Sequence, residues 1–284
     1  MLYVAGVDVG STQAKAVVLD ERARVVGEAI LDVEMNMGTA AQRVFDDVVK
    51  NAGLTPDAIA FTVATGYGRY RVTFGDAQVT EISCHARGAT AEFPGTHTVL
   101  DIGGQDTKAI LIGESGEVMD FAMNDKCAAG TGRFLGAASF ALELPISELG
   151  PLAMKATAPV KITTTCTVFA ESEIIGHLAK GRRPEDVLAG MHHSIATRCA
   201  SLVRRVGLAP EITFTGGVSR NAAMVALLEQ VLDTPLNVSA QGHFMGAIGA
   251  ALYALDHARA GTPRAPAVDT AATAATAARA EVTP

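Results

Sequence analysis

Asp8-Val-Gly-Ser-Thr-Gln-Ala-Lys15 and Asp101-Ile-Gly-Gly-Gln-Asp-Thr-Lys108 repeat one pattern: Asp, an aliphatic residue, Gly, four residues, Lys, then an apolar run. Each follows an apolar strand. A strand ending in Asp-x-Gly, a tight turn and a second strand make a β-hairpin. Its glycine lets the backbone turn closely, and its N–H groups can point at an anion. A carboxylate beside such a turn suits a metal–phosphate centre. Two copies predict a duplicated domain closing on one ligand, with an Asp from each half facing it, as in nucleotide-driven enzymes. A third glycine turn, Thr215-Gly216-Gly217 before Asn221, stands between a strand and a helix start. There bare backbone can lie against a nucleoside and free helix N–H groups are on offer.

The four cysteines, at 84, 127, 166 and 199, include no Cys-x-x-Cys pair. Cys84 and Cys199 fall in helical stretches and read as small buried hydrophobes. Cys127, behind Asn124 and Asp125, and Cys166, in Thr163-Thr-Thr-Cys-Thr, are read as lying where loops enter helices, which favours thiolates. Two thiolates do not complete a Cys₄ site for a [4Fe–4S] cluster, but a two-fold dimer, or a pseudo-symmetric heterodimer, would supply four and place the cluster on its axis.

The elements that must position these residues read as follows. Strands are expected at Leu2–Val9, Ala14–Leu19, Arg24–Val33 and Ala58–Ala64, with helices at Thr39–Ala52 and Thr80–Glu92. The second half restarts with strands at Thr98–Ile102, Thr107–Ile112 and Glu117–Met123. Helices follow at about 128–143, 168–180 and 185–206, then a strand at Glu211–Thr215 and helices at Asn221–Leu232 and Met245–His257. Small residues from Gly246 to Ala251 permit close helix packing. This divides the chain into a first half (1–95), a second half carrying the cysteines (96–258) and an Ala/Thr/Pro tail (259–284). The last helix is expected to pack back near the first half. The tail reads as disordered, with a frayed Ala-rich helix as the alternative.

Composition narrows the partners. At 284 residues there is room for two domains, and 28 glycines suit an α/β protein with many tight turns. A net charge of −7 argues against nucleic acid or an anionic membrane as main partner. No apolar run is long enough to span a bilayer, and Asp8 arrives too early for a signal peptide, so a cytoplasmic protein is expected.

The ordered motifs resemble the superfamily of actin, hexokinase and the 70-kDa heat-shock chaperones. That implies an α/β fold of duplicated actin/hexokinase-like ATPase domains with nucleotide in the interdomain cleft. Within it, Asn124-Asp-Lys-Cys-Ala-Ala-Gly-Thr-Gly-Arg-Phe-Leu135 and Asp101–Lys108 resemble the BadF/BadG/BcrA/BcrD-type ATPases. These are the activators of 2-hydroxyacyl-CoA dehydratases and the ATP-binding subunits of benzoyl-CoA reductase. The resemblance spans roughly Tyr3 to Asp256. It departs at Gly136, where members often carry Glu, and in the length of the tail.

The resemblance implies that ATP and Mg²⁺ bind with Gly10, Ser11, Thr12, Lys15 and Gly103, Gly104, Gln105, Asp106 around the phosphates. Gly216, Gly217 and Asn221 would contact the nucleoside. Asp8 and Asp101 would be the catalytic carboxylates, holding the metal and its waters. Cys127 and Cys166 would ligate a [4Fe–4S] cluster shared across a dimer interface. It further implies a homodimer or a heterodimer with a paralogous ATPase subunit. The electron donor would be reduced ferredoxin or flavodoxin, and the acceptor the reductase or dehydratase subunits acting on a CoA ester. The arginine-over-lysine bias and the tail tilt the reading toward a benzoyl-CoA reductase subunit. The alternative is a homodimeric dehydratase activator. An amino-sugar kinase explains the hairpins but gives Cys127 and Cys166 no purpose, and a chaperone-like scaffold lacks the appended domain it needs. Thr65-Gly-Tyr-Gly-Arg69 reads equally as a phosphate contact or a plain turn. His192-His193 read as facing different ways on a helix, solvated or capping.

Overall fold

The computed structural model describes residues 1–34, 36–162 and 167–264. The chain forms two compact units, Met1–Thr80 with Ala250 onward, and Glu81–Gly249. The first contains β1 (Tyr3–Val9), β2 (Gln13–Asp20), β3 (Val25–Asp32), α1 (Met37–Asn51), β4 (Ile59–Thr65) and the two-residue β5 (Ala77–Gln78). Its sheet runs β3-β2-β1-β4-β5. β1, β2 and β3 pair antiparallel, while β4 runs parallel to β1 and β5 parallel to β4. β1 is central and covered on both faces, so Val4, Ala5, Val7 and Val9 read as a continuous apolar run rather than an alternating one.

α1 starts a fraction of a turn earlier than its apolar spacing predicts because Asn36 caps it. The Asn36 side-chain oxygen accepts from the Gly38 and Thr39 N–H groups at 2.9 and 3.1 Å. Its buried stripe of Ala40, Ala41, Val44, Phe45, Val48 and Val49 closes one face of the sheet.

The second unit contains α2 (Glu81–Glu92), β6 (Thr98–Ile102), β7 (Thr107–Ile112), β8 (Val118–Asn124), α3 (Gly132–Leu142), α4 (Ile146–Ala153), α5 (Thr167–Ala179), α6 (Pro184–Val206), β9 (Ile212–Thr215), α7 (Ala222–Leu232) and β10 (Leu236–Val238). Its sheet order, β8-β7-β6-β9-β10, repeats the first sheet strand for strand, with the same antiparallel and parallel pairings. Duplication is therefore visible in topology as well as in the Asp-x-Gly motif. The main core lies between the sheet and α3, α4, α6 and α7, where Phe134, Leu149, Met191, Ile195 and Phe214 are fully covered.

Sequence placed α2 with the first half. By packing it belongs to the second, since Ala86 and Ala89 close a small core with Val99, Ile110 and Ile112. The last helix, α8 (Met245–Arg259), starts in this unit, where Gly249 packs against the Cys84 carbonyl and Gly88 against the Met245 carbonyl. From Ala250 the chain groups with the first unit, and there the His257 ring stacks on Phe61 at 4.9 Å. Arg259 donates to the Glu21 carbonyl, and Arg264 pairs with Asp76 at 3.1 Å, so the described stretch after Ala258 is held by the first unit. The remainder of the expected tail lies outside the described residues.

Four further elements depart from expectation. α4 escaped notice because Gly150 and Pro151 interrupt its pattern, and β5 and β10 are too short to carry one. α3 begins at Gly132 rather than about 128, since Thr131 is its cap and accepts from the Arg133 N–H at 3.3 Å. Among the described residues, no helix is long and apolar enough to cross a membrane.

Candidate functional site

Each unit ends its central strand in an Asp-x-Gly turn. Asp8 lies opposite Lys15 on β2 and opposite Thr65 on the parallel strand β4. Asp101 lies opposite Lys108 on β7 and Thr215 on β9. The Gly10 N–H donates to the Gln13 carbonyl and the Gly103 N–H to the Asp106 carbonyl, both at 3.0 Å. Ser11 and Thr12 occupy the first turn and Gly104 and Gln105 the second, all partly exposed. The parallel strands then end in matching glycines, Gly66 and Gly216, with φ of +88° and +87°. A Cβ on Gly66 would strike the Asp8 carboxylate and the Val9 carbonyl. On Gly216 it would strike the Asp101 carboxylate and the Ile102 carbonyl. Only a bare backbone lets each carboxylate sit there. The Thr65 turn is thus the counterpart of the Thr215 turn, and the shared Thr-Gly after an apolar strand was the signal for it.

The second unit saturates its carboxylate. Asp101, 2 % exposed, accepts from Lys108 Nζ at 3.2 Å and Thr215 Oγ1 at 3.1 Å, and His85 Nδ1 lies 3.4 Å away. His85 Nδ1 also lies 3.0 Å from Thr215 Oγ1. Lys108 additionally pairs with Asp106 at 2.8 Å and Glu81 at 3.7 Å. Burial pulls the Lys108 ammonium down, but Asp101, Asp106 and Glu81 outweigh it and hold the group well above the ordinary lysine range.

The first unit leaves the same positions open. Asp8 is only 8 % exposed, yet among the described residues its carboxylate has no hydrogen-bond or ion-pair partner. Thr65 Oγ1 is buried and also unpartnered. Lys15 is partly exposed and forms no ion pair among the described residues. A buried carboxylate and hydroxyl left unpaired are costly unless a ligand satisfies them. As a hard oxygen donor set they fit a hydrated Mg²⁺, and Lys15 is free for a phosphate.

Cys127 lies in a turn ahead of α3 rather than at its N-terminus. Asn124 holds that turn, donating to the Cys127 and Ala129 carbonyls at 2.8 and 3.1 Å and accepting from the Cys127 N–H at 3.2 Å. Cys127 is free and only partly buried. The same segment is fastened to the second hairpin. Gly132 and Arg133 N–H groups donate to the Gly103 and Gly104 carbonyls at 2.9 and 2.8 Å, and Thr107 Oγ1 donates to the Gly130 carbonyl at 2.6 Å.

Cys199 Sγ donates to that carbonyl too, at 3.4 Å, and burial pushes its thiol up to about 12. Cys84 is likewise buried. Cys166 lies outside the described residues. A Cβ at Gly136 would meet nothing within 4 Å, so the departure there leaves the packing untouched.

Gly216 is buried and Gly217 exposed after β9. Asn221, read from sequence as a nucleoside contact, spends its side chain on structure. Its oxygen caps α7 through the Met224 N–H at 3.1 Å, and its amide meets His192 Nε2 at 3.0 Å. His193 is exposed, but His192 is buried rather than solvated.

Two repeated sheets, each ending its central strand in an Asp-x-Gly hairpin, define an α/β ATPase fold of the actin and hexokinase type. A likeness of fold alone reaches the glucokinase of Streptomyces griseus, with a TM-score of 0.58 at 14% identity over 89% of this chain and 99% of that one. The chain belongs to the BadF/BadG/BcrA/BcrD ATPase family, which it matches over residues 5–254. It is 44% identical to the (R)-2-hydroxyglutaryl-CoA dehydratase activating ATPase of Acidaminococcus fermentans, over 89% of this chain and 97% of that one. The activator of the 2-hydroxyisocaproyl-CoA dehydratase from Clostridium difficile, solved with bound ADPNP, superposes with a TM-score of 0.89 at 41% identity. That match covers 92% of this chain and 97% of the other. A component of the benzoyl-CoA reductase of Thauera aromatica is 30% identical over 89% and 93% of the two chains. The relatives therefore favour the activator alternative over the reductase reading drawn from composition.

Proposed function

We propose that the protein is the ATP-hydrolysing activator of a 2-hydroxyacyl-CoA dehydratase, a homodimer that passes electrons from reduced ferredoxin or flavodoxin to the dehydratase. Its high identity to dehydratase activators over nearly their whole length supports that partner. Phosphate binding falls to the 10–13 and 103–106 turns and to Lys15, and nucleoside binding to the bare backbone at Gly216 and Gly217. Asp8, without a partner among the described residues, is the carboxylate for Mg²⁺. Asp101, neutralised by Lys108, orients the hairpin it ends. Cys127 and Cys166 of each chain would hold the [4Fe–4S] cluster, which when bound supplies one-electron transfer.

The observation that carries the coupling is the set of hydrogen bonds from the 103–107 hairpin to residues 130–133. A displacement of that hairpin by a phosphate is transmitted through two backbone bonds and the Thr107 hydroxyl to the turn holding Cys127. Nucleotide state and cysteine geometry then share one pair of conformations, which is what coupling requires.

Anaerobic purification tests this reading. One four-iron cluster per two chains, ATPase activity, and repeated turnovers of a separate dehydratase at substoichiometric amounts are expected. A colourless, iron-free protein that phosphorylates a sugar would overturn it, and a stable hetero-oligomer with reductase subunits would return the reductase reading.

A further inference from the structure

Among the described residues, the Thr65 hydroxyl, beside the first hairpin, is buried and left without a partner, as is the neighbouring Asp8 carboxylate. Its environment makes this informative. Thr65 ends β4 directly beside Asp8 on β1, and neighbouring strands lie about 4.8 Å apart. The second unit offers the control, because Thr215 stands in the same register to Asp101 and there the hydroxyl donates to the carboxylate at 3.1 Å. The identical backbone, with identical glycines behind it, thus closes the Thr–Asp bond in one unit and leaves both members unpaired in the other. Residue type does not explain the difference, since Thr and Asp occupy both places. What differs is the cation beside the carboxylate. Lys108 and His85 fill that place in the second unit, whereas Lys15 forms no ion pair among the described residues in the first.

We propose that Thr65 is a positioning residue that holds, through its hydroxyl, a water shared with a divalent cation on Asp8. This rests on the ATPase reading and adds to it a residue that the hairpin motif does not contain. A metal-bound water is a strong donor, and its two protons need acceptors fixed in space. The Asp8 carboxylate takes one and Thr65 Oγ1 the other, which gives both buried oxygens a donor. Thr65 thereby sets the direction of that water relative to the carboxylate. Keeping its own hydroxyl proton free of Asp8 also leaves the carboxylate's full charge for the cation.

Thr65→Val tests the assignment, because valine has the same shape and removes only the hydroxyl. Three readouts are needed: thermal melting without ligand, the Mg²⁺ concentration that half-saturates binding of a non-hydrolysable ATP analogue, and steady-state ATPase. The expected result is a melting temperature equal to or above that of the parent, since an unsatisfied buried hydroxyl has gone. Half-saturating Mg²⁺ should rise about tenfold and turnover should fall by a similar factor, with Thr65→Ser restoring both. A lowered melting temperature with unchanged Mg²⁺ dependence would make Thr65 merely structural and overturn the proposal. That outcome would leave the ATPase reading standing. If the parent protein itself shows no Mg²⁺-dependent nucleotide binding, both fall together.

Discussion

The two units carry one motif in two electrostatic states. In the second, Asp101 is locked among Lys108, Thr215 and His85. In the first, Asp8 sits on the same strand position with none of these partners. The backbone is repeated, while the side-chain networks around the two carboxylates differ. A carboxylate whose lone pairs are filled by the protein is rigid and unavailable. A buried one left empty is poised for a ligand. The same argument separates the lysines: Lys108 balances carboxylates, while Lys15 forms no ion pair among the described residues.

The sharpest break of that comparison is Asp8→Asn against Asp101→Asn. Losing a metal-positioning carboxylate should cut ATPase turnover about 10²-fold or more without lowering stability, because Asp8 is a buried carboxylate with no partner among the described residues. Asp101→Asn should instead cost about 3 kcal/mol in chemical denaturation, as it breaks a buried pair with Lys108. Matching losses of stability in both variants would erase the distinction. Next in size is iron. Cys127→Ser should lose the cluster yet still bind nucleotide, while Cys199→Ser keeps its iron, because burial denies that thiol a thiolate at neutral pH. Iron retained in the first and lost in the second would reassign the ligands.

Coupling gives a smaller effect. Thr107→Val removes a hydrogen bond worth about 1 kcal/mol, so hydrolysis should continue at near-parental rate. The change that nucleotide makes in the alkylation rate of Cys127 in iron-free protein should shrink severalfold. An undiminished nucleotide effect would route the coupling elsewhere.

Much of this was legible in the residues. The paired Asp-x-Gly turns marked both hairpins, since a carboxylate, a glycine and a lysine at fixed spacing have few other uses. Runs such as Val4–Val9 marked central strands, and the helical spacing of Ala41, Val44 and Val48 marked α1. What escaped was non-local. That the Asn221 amide is a partner of His192 depends on α6 lying against it, which no local pattern records. That Asp8 and Asp101 differ depends on Glu81 and His85 arriving from α2 to complete one network only. The start of α3 slipped because the Gly-rich approach to it is held by Asn124 and Gly130 rather than by helix propensity.

The smallest expected effect concerns His192, which sharpens how the second unit is built. It is fully buried, with Nδ1 donating to the Leu188 carbonyl at 2.8 Å and Nε2 accepting from the Asn221 amide at 3.0 Å. That pairing uses the neutral ring, and burial lowers its pKa below the ordinary 6.5. The unfolded chain therefore binds the proton first as pH falls. Stability from this residue is intact above about pH 6.5 and is lost as pH drops below it, with a slope approaching about 1.4 kcal/mol per pH unit. Asp20, Glu185 and Asp186, all held below the usual carboxylate range, lose their contributions only at lower pH, through the range where carboxylates take up protons. Denaturation of the parent and of His192→Gln between about pH 7.5 and about pH 5 separates the two contributions. The parent should weaken toward the acid end, and the variant, though weaker throughout, should hold a flatter profile. Parallel profiles would mean that His192 takes up its proton equally in the folded and the unfolded chain. A parent that gains stability toward acid would mean that the folded ring is charged and that Asn221 meets it through its oxygen, leaving α7 without the side-chain cap assigned to it.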